Sequence, residues 1–143
     1  MRIDVLNGVN LNVLGKRDPE TYGGLSLQEL ESQIYKWGNE LGATVRCRQT
    51  NQEGLFVAWL HDASEVTDAV IVNPGAWTHY SWAIRDAVEI TGLPVVEVHL
   101  SNVDEREEWR RHSVLADVVS ERVIGKGPDG YREALAYLAE HGK

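Results

Sequence analysis

A glutamate and a histidine two positions apart, Glu97 and His99, form the clearest arrangement for acid–base chemistry in the sequence. They lie in the apolar run LPVVEVHL, which is typical of a buried central strand, and side chains two positions apart on a strand share one face. A carboxylate beside an imidazole accepts a proton from one ring nitrogen, fixes the tautomer and favours the protonated ring. We therefore predict that His99 is an acid oriented by Glu97; the alternative is a solvated pair at a sheet edge.

Tyr22 and Arg17 share a polar loop, roughly residues 9–24, after the first predicted strand. Free tyrosine ionises near pH 10, so it is a poor base unless a neighbouring cation favours its ionised form. Arginine stays protonated at neutral pH, which suits it to that task. The pair Gly23–Gly24 offers a hinge, and Pro19 argues against a helix through this loop. On spacing alone, an ordinary surface loop is the favoured interpretation.

Polar groups follow the ends of the first, third and fourth predicted strands, where a purely structural sheet would simply turn. They are Asn10 after the first strand, Asn73 and His79 after the third, and Ser101, Arg106 and Arg110 after the fourth. Each has a structural alternative. His79 fits a helix N-terminus without a ligand, and Asp86 fits a solvated helix charge. The two arginines fit ion pairs with neighbouring glutamates on an exposed helix.

Composition excludes several classes of function. The formal net charge of −8 leaves no basic surface for nucleic acid, and no apolar run approaches the roughly 20 residues that span a bilayer. There is neither a cluster with metal-ligand spacing nor a common Gly-rich phosphate loop, so we expect no metal and no cofactor. The lone cysteine, Cys47, fits a reducing cytoplasm and a buried place on a strand.

Short apolar strands alternate with helical patterns along the chain. We predict strands at residues 2–7, 43–50, 68–73, 93–100 and 117–124, and helices from Ser26, over 53–64, over 78–89 and around Tyr131. The helix from Ser26 has a capping box with Glu29 and an end at Gly42. Its predicted apolar face consists of Leu30, Ile34, Trp37 and Leu41.

This alternation predicts one α/β domain, residues 1–143, with a five-stranded parallel sheet covered by helices on both faces. A flavodoxin-like strand order, 2-1-3-4-5, is the leading topology. In such sheets ligands bind outside the carboxyl ends of the strands, at the switch point between strands one and three. The polar groups that follow the first, third and fourth predicted strands lie at those ends.

Three dense motifs resemble the type II 3-dehydroquinate dehydratases: NGVNLNVLGKRDPETYGG, VNPGAWTHYSWAIRDA and EVHLSNVDEREEWRRHS. QTNQEGLFVAWL and GKGPDGYREAL are also similar, so the resemblance runs nearly end to end. It implies a flavodoxin-like fold and the anti elimination of water from 3-dehydroquinate, which gives 3-dehydroshikimate through an enolate without metal or cofactor. That reaction serves the shikimate pathway of aromatic amino acid biosynthesis or the breakdown of quinate.

By motif position, the resemblance implies a role for each candidate residue. Tyr22, as a tyrosinate, removes the proton beside the ketone while Arg17 stabilises the charge. Asn10, with an ordered water, steadies the enolate oxygen, and His99, oriented by Glu97, protonates the departing hydroxyl. The groups implied to hold the substrate are Asn73, His79, Arg110, the backbone amides of Leu100 and Ser101, Asp86 from a neighbouring subunit, and Arg106 with a less defined role.

The resemblance also implies a homo-oligomer, a dodecamer of four trimers. One departure is Val9, where the family has proline; because proline fixes φ, valine is expected to loosen the turn and slow catalysis. Trp77 and Trp82 are bulkier than the usual residues and are expected to affect subunit packing.

Two other classes of function compete with an enzyme. A phosphoacceptor module needs acidic residues where Asn7 and Asn73 stand, and a flavin-binding module needs a Ser/Thr-rich loop after the first strand. A catalytically silent relative with an assembly role is disfavoured because four residues are present together: Tyr22, Arg17, Asn10 and His99.

Overall fold

A computed structural model describes residues 1–142. Its strands form a single parallel sheet in the order β2-β1-β3-β4-β5, as predicted. They are β1 (Arg2–Asn7), β2 (Thr44–Gln49), β3 (Ala69–Asn73), β4 (Val95–His99) and β5 (Glu121–Ile124). The α/β class and the flavodoxin-like topology are therefore confirmed. Among these residues no helix has the length and apolar character to cross a membrane.

In residues 1–142, five α-helices and four short 3-10 helices connect the strands or follow the last of them. The α-helices are α1 (Pro19–Tyr22), α2 (Leu27–Glu40), α3 (Glu53–Val66), α4 (Trp82–Thr91) and α5 (Asp129–His141). The 3-10 helices cover Leu11–Lys16, Gly75–His79, Val103–Glu105 and Glu108–Arg111. Helices α2 and α5 pack on one face of the sheet, and α3 and α4 pack on the other.

The two faces of the sheet carry separate apolar cores because strand side chains alternate in direction. Val5 and Ile71 belong to the core under α2 and α5, whereas Leu6 and Val72 belong to the core under α3 and α4. All four are fully buried. Burying each such side chain contributes about 1.5–3 kcal/mol, so the central strands form a rigid frame whose carboxyl ends hold the polar residues in fixed positions.

Helix α2 begins as the sequence predicts. The Ser26 hydroxyl accepts from the Glu29 backbone N–H at 3.1 Å, and the Glu29 carboxylate accepts from the Ser26 N–H at 3.1 Å. Leu30 and Ile34 on the predicted apolar face are fully buried. Leu41 is 44% exposed, which differs from the prediction, because the helix ends at Glu40 and Leu41 lies beyond its last turn.

The loop after β1 contains a short helix, although Pro19 argued against a helix through this loop. Helix α1 begins at Pro19, and Asp18 caps it by accepting from the Glu20 N–H at 3.1 Å. Proline is compatible with the first helical turn, where its missing N–H has no partner to lose. Pro19 therefore starts a helix in this loop, and the expectation that it argues against one is wrong.

Three further details differ from the predictions. Helix α4 begins at Trp82 because Ser81 caps it, accepting from the Ile84 N–H at 3.1 Å. Strand β5 begins at Glu121 rather than 117, since turns precede it. Trp77 is buried against Phe56 with ring centroids 5.6 Å apart, so its expected role in subunit packing is wrong.

Cys47 lies on β2, as predicted, but is half-buried. Burial raises the pKa of its thiol to about 12, and the nearby Glu31 acts in the same direction. A thiol that stays protonated at neutral pH is a poor nucleophile. The cysteine is therefore a packing residue of the strand.

Candidate active site

One cleft opens at the carboxyl ends of β1, β3 and β4, beneath the loop that contains α1. Ten of the twelve residues singled out from the sequence line it: Asn10, Arg17, Tyr22, Asn73, His79, His99, Leu100, Ser101, Arg106 and Arg110. Of the remaining two, Glu97 lies behind His99 and Asp86 is exposed on α4, outside the cleft of its own chain. The cleft therefore brings together residues separated by up to a hundred positions.

Two guanidinium groups converge on the hydroxyl of Tyr22. Arg17 Nη2 donates to it at 2.5 Å and Arg106 Nη1 donates at 2.8 Å. The Arg17 guanidinium also stacks over the phenol ring, 3.8 Å from its centroid. Charge-assisted hydrogen bonds of this kind stabilise negative charge on the acceptor. Arg106, whose role the sequence left undefined, is thus a second cation on the phenolic oxygen.

His99 and Glu97 form the pair that their spacing predicts. The His99 Nε2 and Glu97 Oε2 atoms are 2.6 Å apart, and Glu97 has no exposed surface. Burial alone would raise the pKa of Glu97. The hydrogen bond and charge of His99, the charge of Arg122 and the hydrogen bond from Thr78 outweigh burial and lower this pKa to about 2. The carboxylate is therefore ionised throughout the neutral range.

Three of the partners of Glu97 were missed in the sequence. Thr78 and Ser113 donate hydroxyl hydrogen bonds to the carboxylate, and Arg122 Nε donates to Oε1 at 3.0 Å. Strand register pairs Glu97 with Arg122 on β5. The sequence did show a basic residue, Arg122, on the strand predicted to neighbour that of Glu97. Pairing the two residues required knowledge of the strand register.

A buried tyrosine behind the cleft also escaped sequence reasoning. The Tyr131 hydroxyl donates to Asn7 Oδ1 at 2.6 Å and accepts from Asn73 Nδ2 at 2.9 Å. Asn73 Oδ1 in turn accepts from the Gly75 N–H at 3.2 Å. Burial raises the pKa of Tyr131, so its hydroxyl stays protonated and can donate. This network fixes the carboxamide of Asn73, which lines the cleft.

His79 faces His99 across the cleft, with ring centroids 6.4 Å apart. Its Nδ1 lies 2.7 Å from the His112 carbonyl oxygen and so carries the proton, which leaves Nε2 as an acceptor. Burial lowers the pKa of His79, although the bond to the His112 carbonyl opposes this effect. The neutral ring is therefore favoured, as suits a group that binds hydroxyls.

The turn that presents Asn10 is tightly constrained. Asn10 has φ 70°, and it is the one non-glycine residue between 1 and 142 with a positive φ. Its backbone N–H donates to Asn51 Oδ1 at 2.9 Å. Gly75 approaches this turn so closely that an added Cβ would lie 2.7 Å from the Val9 carbonyl oxygen. Strained backbone held by its surroundings is characteristic of functional sites; the effect of Val9 on catalysis stays a prediction.

Backbone and arginine groups complete the rim. The carbonyls of Leu100 and Ser101 accept from Gly127 N and Gly125 N at 3.0 and 3.1 Å, which fixes both peptide units. Arg110 pairs with Glu107, the alternative raised from the sequence, and nevertheless lines the cleft. Across residues 1–142, no three His, Cys, Asp or Glu side chains are grouped to hold a metal ion.

Known proteins resemble the chain over nearly its full length. A family model described as Dehydroquinase class II matches residues 1–139. The chain is 51% identical over 139 residues to a 3-dehydroquinate dehydratase of Pelotomaculum thermopropionicum, covering 97% of this chain and 96% of that protein. It is 53% identical over 137 residues to a 3-dehydroquinate dehydratase of Deinococcus radiodurans, covering 95% and 96%.

Solved structures agree with the sequence relatives. The crystal structure of a type II dehydroquinase from Propionibacterium acnes superposes with a TM-score of 0.93 at 43% identity, covering 97% of this chain and 96% of that one. That of a type II dehydroquinase from Butyrivibrio crossotus gives 0.94 at 41%, covering 96% and 97%. The chain belongs to the class II dehydroquinase family.

Proposed function

We propose that the chain is a type II 3-dehydroquinate dehydratase, which eliminates water from 3-dehydroquinate to give 3-dehydroshikimate. The observation that carries this proposal is that Tyr22, with two guanidinium groups on its oxygen, and His99, paired with a buried carboxylate, line the same cleft. Membership of the class II dehydroquinase family supports the choice of substrate.

In the proposed first step, the Tyr22 phenolate takes the proton from the carbon beside the ketone. The new O–H bond forms on the phenol, and the electron pair of the broken C–H bond moves into an enolate. Arg17 and Arg106 stabilise the phenolate before transfer, because both donate to its oxygen. Asn10, held by its strained turn, would steady the enolate oxygen together with an ordered water.

In the second step the enolate electrons re-form the ketone and the new C=C bond while the C–O bond to the hydroxyl breaks. Hydroxide is a poor leaving group, so His99 donates a proton to it and water departs. Glu97 holds His99 Nε2, which leaves Nδ1 to face the departing oxygen. The proton left on Tyr22 and the one lost by His99 balance, and exchange with solvent resets both groups.

The substrate is a carboxylate, and the chain carries a formal net charge of −8. Binding therefore requires positively charged and hydrogen-bond-donating groups gathered in the cleft. Arg17, Arg106 and Arg110 all line the cleft and supply positive charge there. Asn73, His79 and Ser101, with the Leu100 and Ser101 amides, provide hydrogen-bonding groups for the carboxylate and hydroxyls of the acid.

We further propose that residues 1–143 act as one catalytic domain within a trimer-based dodecamer in the cytoplasm. Asp86 is exposed on α4, away from its own cleft, which fits a residue that reaches the cleft of a second copy. The same region exposes large apolar side chains: Tyr80 is 60%, Trp82 61% and Ile90 67% exposed. Such a patch favours association with another chain, and native mass measurement tests the number of copies.

A direct assay tests the proposed reaction. Purified protein is mixed with 3-dehydroquinate, and ultraviolet absorbance is followed, because the product is a conjugated enone carboxylate. We expect absorbance to grow with enzyme concentration and the product to be 3-dehydroshikimate. Absorbance that stays flat, with substrate recovered intact, would favour the catalytically silent relative.

A further inference from the structure

We infer that Arg122 is a positioning residue that tunes the proton-donating strength of His99 through Glu97. The inference deepens the proposed function and rests on it, since it concerns the acid of that reaction. Arg122 lies on β5, outside the set of residues that line the cleft in the described part of the chain. Its route to His99 is therefore the carboxylate of Glu97.

The geometry makes Glu97 a bridge between the imidazole of His99 and the guanidinium of Arg122. Its Oε1 accepts from Arg122 Nε at 3.0 Å, and its Oε2 lies 2.6 Å from His99 Nε2. The register of β4 against β5 places Glu97 and Arg122 directly opposite each other. Because both strands belong to the parallel sheet, this contact is held by the frame of the fold rather than by a mobile loop.

The charge of Arg122 matters most after His99 has given up its proton. At that moment Glu97 is a carboxylate without exposed surface beside a neutral imidazole, and a buried charge without a cation is strongly disfavoured. Arg122 supplies a permanent cation, so loss of the proton does not strand the carboxylate. Without Arg122 the whole charge of Glu97 would favour the imidazolium, and His99 would be a weaker acid.

The other groups around this pair do not duplicate that effect. Thr78 and Ser113 donate to the same carboxylate but are neutral. His79, from the 3-10 helix after β3, and Arg110, from the one before β5, face His99 from the cleft. Among residues 1–142, Arg122 is the arginine or lysine that forms an ion pair with Glu97.

The experiment compares Arg122→Gln, which removes the charge, with Arg122→Lys, which keeps it. Arg2→Gln is the matched control, because Arg2 is an exposed ion-paired arginine at the opposite end of the sheet. The NMR signals of the His99 ring are assigned by comparison with His99→Ala. Their chemical shifts are then followed as a function of pH, without substrate, to give the titration midpoint. Turnover and KM with 3-dehydroquinate are measured for the same proteins.

We expect the His99 titration midpoint to move up by about one pH unit in Arg122→Gln. The pH at which turnover falls on the alkaline side should move up by the same amount, because a general acid is active in its protonated form. KM should stay within about twofold of the native value because Arg122 makes no contact in the cleft. Arg122→Lys and Arg2→Gln should keep the native midpoint.

An unchanged midpoint in Arg122→Gln would overturn the inference, and so would an equal shift in Arg2→Gln. Loss of thermal stability with no change in titration would mean that Arg122 is purely structural. If Arg122→Gln does not fold, Arg122→Met replaces it, since methionine keeps an apolar stem. Absence of turnover in the native protein contradicts the proposed function instead, and the NMR titration still decides the role of Arg122.

Discussion

His99 Nε2 lies 2.6 Å from Oε2 of Glu97, a carboxylate that has no exposed surface. This contact assigns the ring nitrogens different tasks, because a nitrogen held by a carboxylate carries a proton permanently. Nδ1 is then the position through which the ring can exchange a proton with a ligand. A strand that ends in a tethered imidazole is therefore suited to deliver a proton in one direction.

Glu97→Gln should change the stability of the protein in acid. The pKa of Glu97 is lowered to about 2, below its ordinary value of 4.5, so the residue contributes stability above pH 4.5 that is lost as the pH falls towards 2. We expect the native free energy of unfolding to drop by on the order of 3 kcal/mol more than that of the variant over this interval. Denaturant unfolding at a series of pH values measures it.

Asp117→Asn is the matched control for that experiment. Asp117 also has a lowered pKa, caused by its hydrogen bond with Arg85, but its side chain is 73% exposed. Solvent screens exposed pairs, so its removal should change the acid dependence much less. Equal slopes for native protein and Glu97→Gln would contradict the account of the buried carboxylate.

Tyr131→Phe should weaken substrate binding through a residue that never touches the substrate. Losing the hydroxyl frees Asn73 Nδ2 and leaves Asn7 Oδ1 without its donor, at a cost of about 1–3 kcal/mol in stability. A carboxamide that can rotate binds less well, so we expect KM to rise several-fold with a smaller change in turnover. Steady-state kinetics with thermal unfolding measures both effects. A variant that loses stability but keeps its KM would limit Tyr131 to a structural role.

Gly75→Ala should damage activity, whereas Gly92→Ala should affect stability alone. Both glycines have similar left-handed φ values, 63° and 64°, so each substitution carries the same backbone cost of about 1–2 kcal/mol. A Cβ at Gly75 would also lie 2.7 Å from the Val9 carbonyl, while one at Gly92 meets nothing within 4 Å. The difference in kcat between the two variants reports on the turn that presents Asn10. Equal turnover would show that this turn tolerates displacement.

Patterns among residues close together in the sequence predicted much of the fold and part of the candidate site. The alternation of strand and helix patterns predicted the parallel sheet, with the flavodoxin-like order as the leading topology. The spacing of Glu97 and His99 predicted their contact, because residues two positions apart on a strand share one face. The capping box of α2 depends only on residues three apart and was also predictable.

The features that the sequence did not predict depend on strand register and on the burial of side chains. The pairing of Glu97 with Arg122 follows from the alignment of β4 against β5, which no short stretch of sequence specifies. Tyr131 was predicted as one residue of an apolar helix face, although its hydroxyl reaches two asparagines at the ends of β1 and β3, Asn7 and Asn73. Trp77 was expected to affect subunit packing because it is bulkier than the usual residue at its position, whereas its contact with Phe56 of α3 places it in the core.

Mixed assemblies should reveal whether Asp86 acts across a subunit boundary. Asp86→Ala and Tyr22→Phe are each expected to be nearly inactive alone. Coexpressed with different tags and purified as mixed oligomers, they should recover part of the native activity, because a Tyr22 from one chain meets an Asp86 from another. Mixtures that remain as inactive as the separate variants, with mixed oligomers verified by mass, would contradict a contribution in trans.

The most direct test separates the role of the proposed base from that of the proposed acid. 3-Dehydroquinate is incubated with the enzyme in D2O, and proton NMR measures how fast deuterium replaces the substrate proton beside the ketone. His99→Ala should still exchange the substrate proton beside the ketone, since Tyr22 and its two arginines remain, while elimination falls by at least about a hundredfold. Tyr22→Phe should lose both exchange and elimination. Enzyme-dependent elimination in Tyr22→Phe, or equal exchange in both variants, would contradict the division of labour between these two residues.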